Sequence, residues 1–120
     1  MKKISVVFIA LLCIAFGVKA NKTAVEVIAP AEAKAGTEVT ITVNILHNGN
    51  SKSHHTEWVC LKINGKEVQR WAYSKNDLPP EGNYSVDFKF IATENLTIEA
   101  EGNCNMHGTK GPATAEVKIN

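Results

Sequence analysis

Glu38-Val-Thr-Ile-Thr-Val-Asn-Ile-Leu46 places Val39, Ile41, Val43 and Ile45 on one side and Glu38, Thr40, Thr42 and Asn44 on the other. Side chains of an extended chain point to opposite faces in turn, so this period of two predicts a strand with one face on a core and one in water. The same pattern recurs outward from it. Tyr84, Val86, Phe88 and Phe90 alternate with Ser85, Asp87 and Lys89. Leu96, Ile98 and Ala100 alternate with Thr97, Glu99 and Glu101, and Ala115, Val117 and Ile119 close the chain in the same way. Ala24 to Ile28 reads as a short first strand that ends near Pro30. Trp58 to Ile63 and Lys66 to Ala72 flank Asn64-Gly65, a dipeptide that supplies the positive φ angles of a tight hairpin turn. Ala31 to Ala35 has room for one helical turn, and nothing longer is amphipathic at helical spacing. About seven short strands separated by Gly, Pro and Asn loop signals predict an all-β chain, an immunoglobulin-like antiparallel β-sandwich.

The chain has 120 residues, enough for one domain. Residues 1–20 are read as a cleavable signal peptide: Lys2 and Lys3, an apolar run from Ile4 to Val18, and small residues at Val18-Lys19-Ala20, with cleavage after Ala20. The run is too short for a membrane span. A lipid anchor on Cys13 is the competing reading, but Leu12 stands where such an anchor has a small residue. The domain is then residues 21–120, periplasmic or otherwise exported, with no membrane association after cleavage. Lys2, Lys3 and Lys19 leave with the signal, so thirteen basic residues become ten against twelve acidic ones and the formal charge moves from +1 to −2. A weakly acidic domain without a basic cluster is not built for nucleic acid.

Cys60 and Cys104 remain after cleavage. In an oxidising compartment two cysteines invite a disulfide, and spacing alone leaves that pairing open. The histidines point elsewhere. His47, His54 and His55 fall within nine residues, and His107 follows Cys104 by three in Gly102-Asn-Cys-Asn-Met-His-Gly108. A two-residue gap lets a tight turn aim a thiolate and an imidazole at one point, and Gly108 permits the positive φ such a turn needs. Soft thiolate with borderline imidazole suits iron, copper or zinc, not magnesium or calcium. If the segment around His54 and His55 is extended, only one of that pair can face a metal. By the same alternation His54, Thr56, Trp58 and Cys60 share a face, with Trp58 in the core and Cys60 a buried small hydrophobe if unpaired.

Cys104-Asn105-Met106-His107-Gly108 resembles the Cys-Asn-x-His-Gly motif of the superoxide reductases, the desulfoferrodoxin and neelaredoxin group. His54-His55-Thr56-Glu57-Trp58 resembles that family's His-x-x-Glu-Trp segment, with His47 upstream as the preceding histidine. Val27-Ile28-Ala29-Pro30 and Lys34-Ala35-Gly36 are similar to its opening strand and turn, and the likeness covers nearly all of residues 22–119. The resemblance implies an oxidoreductase that reduces superoxide to hydrogen peroxide by one electron at a single iron (Fe2+/Fe3+) per chain. It implies His47, His54 and His107 as equatorial ligands, Cys104 as the axial thiolate and Lys22 as the residue that attracts the anion. It also implies an electron-donor protein, not identified by the sequence, and homo-oligomers. No rubredoxin-like cysteine site is present, which corresponds to the one-iron form.

Two departures stand out. The family opens with Glu-Lys-His, where this chain has Asn21-Lys22-Thr23, so the fourth histidine and the carboxylate are absent while Lys22 is kept. The interval from His47 to His54 is one residue longer than usual for the family. A second reading is therefore a non-catalytic metal-binding or electron-transfer protein, holding iron or, as in cupredoxins, copper. Blue-copper sites use a weak axial ligand, and no methionine follows His107.

Overall fold

The computed structural model describes residues 21–120; the signal-peptide reading falls on residues 1–20 and lies outside them. Strand β3 spans Glu38–Leu46, the bounds the alternation predicts. It is the middle strand of a three-stranded sheet, between β1 (Ala24–Ile28) and β6 (Tyr84–Ile91). Both neighbours run antiparallel to it, with Val25 opposite Ile45 and Val43 opposite Val86. The second sheet has five strands: β2 (Glu32–Ala33), β8 (Ala113–Ile119), β7 (Leu96–Cys104), β4 (Thr56–Ile63) and β5 (Lys66–Ala72), in that spatial order. All its pairs are antiparallel except β2 with β8. The chain is thus all-β and sandwich-like, and no helix occurs among the described residues.

Val39, Ile41, Val43 and Ile45 of β3 lie in one buried cluster with Val59, Leu61, Ile63, Leu96, Ile98, Ala100 and Val117 of the other sheet. Burying such side chains is the main favourable term in folding, roughly 1.5–3 kcal/mol for each fully buried aliphatic. The β4–β5 hairpin turns at Asn64 and Gly65, whose φ angles of 52° and 81° are the left-handed pair that the dipeptide predicts.

Three expectations are corrected. Ala31 to Ala35 forms no helical turn. The carbonyls of Ala31 and Ala33 accept from the backbone N–H groups of Lys118 and Asn120 at 2.9 Å, and β8 holds the segment extended as β2. In β4, the register with β7 passes from Thr56 opposite Cys104 to Trp58 opposite Asn103, so Glu57 is an extra residue, a β-bulge. The bulge breaks the alternation: Thr56 faces inward, as do Val59 and Leu61, while Trp58 and Cys60 face out. Trp58 is therefore outside the core cluster, with the Arg70 guanidinium 4.7 Å from its ring centroid. Cys60 is buried, but on the outer face, opposite Arg70 and Glu101. Burial raises its thiol pKa. Cys104 lies on the inner face of the neighbouring strand, so the two cysteines emerge on opposite sides of the sheet and both are free.

Gly102 occupies an inward position of β7 beneath the start of β1. A Cβ there would stand 2.7 Å from Thr23 Cγ2 and 3.2 Å from Val25 Cγ1. Gly102→Ala is therefore expected to cost about 1–3 kcal/mol in urea unfolding, and less in a Thr23→Ser background, which lacks Cγ2. Equal costs in the two backgrounds would rule out this contact as the cause. In the core, Ile41→Ala is expected to cost about 2–5 kcal/mol. Ile91→Ala, at a side chain 63% exposed, should stay within about 0.5 kcal/mol; similar losses at the two positions would contradict the assigned core.

Candidate metal centre

Three chain segments meet at one end of the sandwich. His47 is the residue after β3, His54 lies on the loop before β4, and Cys104 ends β7. Beyond Cys104 the chain reverses at once. Cys104 N–H donates to the Gly108 carbonyl and Gly108 N–H to the Cys104 carbonyl, both at 2.9 Å, with Gly108 at φ 79°. That closed turn carries His107 back toward Cys104.

Ligand-type atoms of His47, His54 and Cys104 all lie within 4.8 Å of one another. His107 Nδ1 is 3.0 Å from His54 Nε2 and 4.0 Å from Cys104 Sγ. The His54 ring stands edge-on to both His47 and His107, with centroids 5.0 and 4.7 Å apart. The Cys104 thiol is buried and accepts the His107 backbone N–H at 3.5 Å. The structure thus brings together all four residues singled out from the motifs: His47, His54, Cys104 and His107.

The His47 ring is buried, and its Nε2 has no hydrogen-bond partner. An orphaned ring nitrogen in a protein interior needs an explanation, and a cation among these donors is one. Burial, aided by the neighbouring His54, holds the His47 pKa below its ordinary value, so the ring stays neutral with a lone pair to give. The two imidazole nitrogens of His54 and His107 are at hydrogen-bond distance, 3.0 Å, and the same spacing would suit two metal bonds of about 2.1 Å meeting near a right angle. By donor chemistry and spacing, the residues fit a soft or borderline metal such as iron.

His55 turns away from the cluster. It is buried, and its Nδ1–H donates to the Ser51 carbonyl at 2.9 Å. Asn105 ties this loop to the Cys104 turn: its Oδ1 accepts from His55 N–H at 3.0 Å, its N–H donates to the His55 carbonyl at 3.0 Å, and its Nδ2 donates to the Ser53 carbonyl at 3.1 Å. Thr23, in the place of the missing histidine, is fully buried. Its hydroxyl pairs with that of Thr56 at 2.9 Å, and its backbone bonds to Gly108 and Lys110.

Lys22 is exposed and lines an open cleft beside His47, with Lys110 on the same cleft. Its backbone sits between Asn21, which bonds twice to Asn48, and the buried Thr23. Sequence reading missed Lys110, Asn50 and the tying role of Asn105. Lys110 and Asn50 carried no motif; Asn105 was visible only as a member of one.

The desulfoferrodoxin family model matches residues 17–110. No curated protein matches the sequence. Among solved structures, the fold is similar to the superoxide reductase (neelaredoxin) from Ignicoccus hospitalis, 22% identical, covering 82% of this chain and 83% of that one with a TM-score of 0.69. It is also similar to a CARDB domain from Pyrococcus furiosus solved with di-metal ions, 18% identical, covering 85% and 97% with a TM-score of 0.61. These likenesses speak to the fold. The family match spans well over half of the sequence, and the chain belongs to the desulfoferrodoxin family.

Proposed function

We propose that this protein is a one-iron superoxide reductase, with His47, His54, His107 and Cys104 holding the metal. The observation that carries the proposal is the buried, partnerless Nε2 of His47 at the edge of a cluster of two further imidazoles and a thiol. Iron held by these four residues would supply the one electron that, with two protons from solvent, turns superoxide into hydrogen peroxide. Cys104 contributes a thiolate, which pushes electron density toward a metal it ligates, and the His107 N–H steadies that sulfur. Lys22 and Lys110 give the cleft beside His47 a local positive charge in a domain that is negative overall, which raises the encounter rate of a small anion. Thr23 has no side-chain nitrogen to give, and its hydroxyl is taken up by Thr56. On this proposal the chain acts after export, with residues 1–20 removed, and takes electrons from a separate donor protein.

The copper alternative lacks support from the axial side. Met106 is 62% exposed, and the sequence holds no other methionine near the motif.

The purified protein is expected to carry close to one iron per chain and to show a thiolate-to-ferric absorption band. Cys104→Ser should abolish the band, and Cys60→Ser should leave it. Copper with an intense blue colour, or equal losses in both variants, would defeat the assignment. Pulsed superoxide should oxidise the ferrous protein stoichiometrically; no acceleration over spontaneous decay would leave only a metal-binding protein.

Replacing Lys22 and Lys110 together by Ala should slow that oxidation several-fold and flatten its dependence on ionic strength. An unchanged salt dependence would remove the two lysines from the proposal.

A further inference from the structure

Asn50 lies in the loop between His47 and His54, and its side chain is fully engaged. Its Oδ1 accepts from Thr56 N–H at 2.9 Å and lies 3.2 Å from His47 Nδ1. Its Nδ2 donates to the Glu81 carbonyl at 2.8 Å. The orientation of an amide group follows from its partners, and both backbone partners here are unambiguous. A backbone N–H can only donate, so the atom facing Thr56 is the oxygen. A backbone carbonyl can only accept, so the atom facing Glu81 is the nitrogen. The same oxygen faces His47 Nδ1, which must then carry the ring proton. In the neutral ring the lone pair is left on Nε2, the buried atom with no partner.

We infer that Asn50 is a positioning residue for the metal centre: it fixes the Nδ1–H tautomer and the ring orientation of His47, so that Nε2 presents its lone pair to His54, His107 and Cys104. A ligating histidine is commonly held this way, by a hydrogen bond from its other ring nitrogen, and loss of such a partner costs about 10–100-fold in metal affinity. The Thr56 bond anchors the acceptor to the first residue of β4. The Glu81 bond anchors it to the loop before β6, near Gly82 and Asn83, which also bind the His47 backbone N–H. His47 is thus gripped at its backbone and at its ring from the same side.

The inference rests on the proposed metal site for its purpose but not for its test. Long-range 1H–15N NMR on the metal-free protein reads the tautomer of each neutral imidazole. Wild-type His47 should be the Nδ1–H form, and Asn50→Ala should give a mixture of both forms. Asn50→Asp keeps an acceptor for His47 and Thr56 but loses the donor to Glu81; it should keep the Nδ1–H form. Co2+ titration followed by absorption should show affinity about 10–100-fold lower in Asn50→Ala, with most of it restored in Asn50→Asp. A wild-type His47 in the Nε2–H form, or an unchanged tautomer in Asn50→Ala, would overturn the inference. So would an Asn50→Asp variant as impaired in both readouts as Asn50→Ala, since Asn50 would then act only by anchoring the Glu81 loop. A wild-type chain that binds neither iron nor Co2+ would sink the iron proposal, while the tautomer measurement would still decide the role of Asn50.

Discussion

Thr56 and Cys104 face each other across the β4–β7 ladder, and both point between the sheets. That register decides on which side the thiol emerges. A slip of one residue turns every side chain of a strand to the other face; it would send Cys104 outward and bring Glu99 and Glu101 into the core. Ile98 and Ala100, buried opposite Ile63 and Leu61, hold the register well away from the site. Hydrophobic burial in the middle of the sandwich therefore aims a polar group at its end. The bulge at Glu57 is part of this arrangement. Thr56 and Val59 are three positions apart, so strict alternation would place them on opposite faces. One extra residue lets both face inward.

The start of β1 shows what stands where the family motif has a further histidine. An imidazole at position 23 would have to occupy the space where Thr23 packs against Gly102 and bonds to Thr56. The threonine hydroxyl finds a partner of its own kind, so no polar atom is stranded where a histidine would have needed a metal. The backbone around it keeps its contacts with the turn, through Gly108 and Lys110. Threonine at this position thus leaves the surrounding turn intact, and Lys22 stands beside the cleft.

Much of this was legible in the sequence where one physical rule dominates. The alternation of β3 marked its bounds and its buried face, because burial of one side of a strand leaves a period of two. Asn64-Gly65 marked the hairpin, because few other dipeptides tolerate its φ angles. The Cys104–Gly108 turn was legible from spacing and a glycine. Other features rest on tertiary partners that no local pattern reports. Glu32–Ala33 is a strand only because the end of β8 takes up its neighbours' hydrogen bonds. Glu57 is a bulge only because β7 pairs on either side of it. Trp58, by composition a core residue, lies under Arg70 once the bulge has turned it outward. His54 and His55 do part company as alternation suggested, but in a bend held by Asn105 and not in a strand. Asn50 had no signal at all: an asparagine in a Gly-Asn loop reads as turn chemistry, and only the fold brings Thr56 and Glu81 to it.

The donors divide into a rigid pair and an adjustable pair, and this bears on which metal the site selects. His47 and Cys104 are buried at strand ends, whereas His54 is half-buried on a loop and His107 exposed on a turn. With bonds of about 2.1 Å, a tetrahedral centre would hold its ligand nitrogens about 3.4 Å apart, and a right-angled one about 3.0 Å. His54 and His107 stand at 3.0 Å, the right-angled value. The sulfur lies 4.0 Å from His107 Nδ1, beyond the about 3.1 Å of a right-angled sulfur–metal–nitrogen pair. A metal seated here either keeps that angle wide or draws the exposed imidazole inward, and His107 is the ligand with room to move. Geometry, not raw affinity, discriminates among first-row metals. Three imidazoles and a thiolate are enough donors to close a tetrahedral site, so the position taken by His107, the donor with most room to move, decides between a closed site and one with places left for water or a small anion. The proposed iron reading requires the open arrangement, because a substrate must be able to reach the metal.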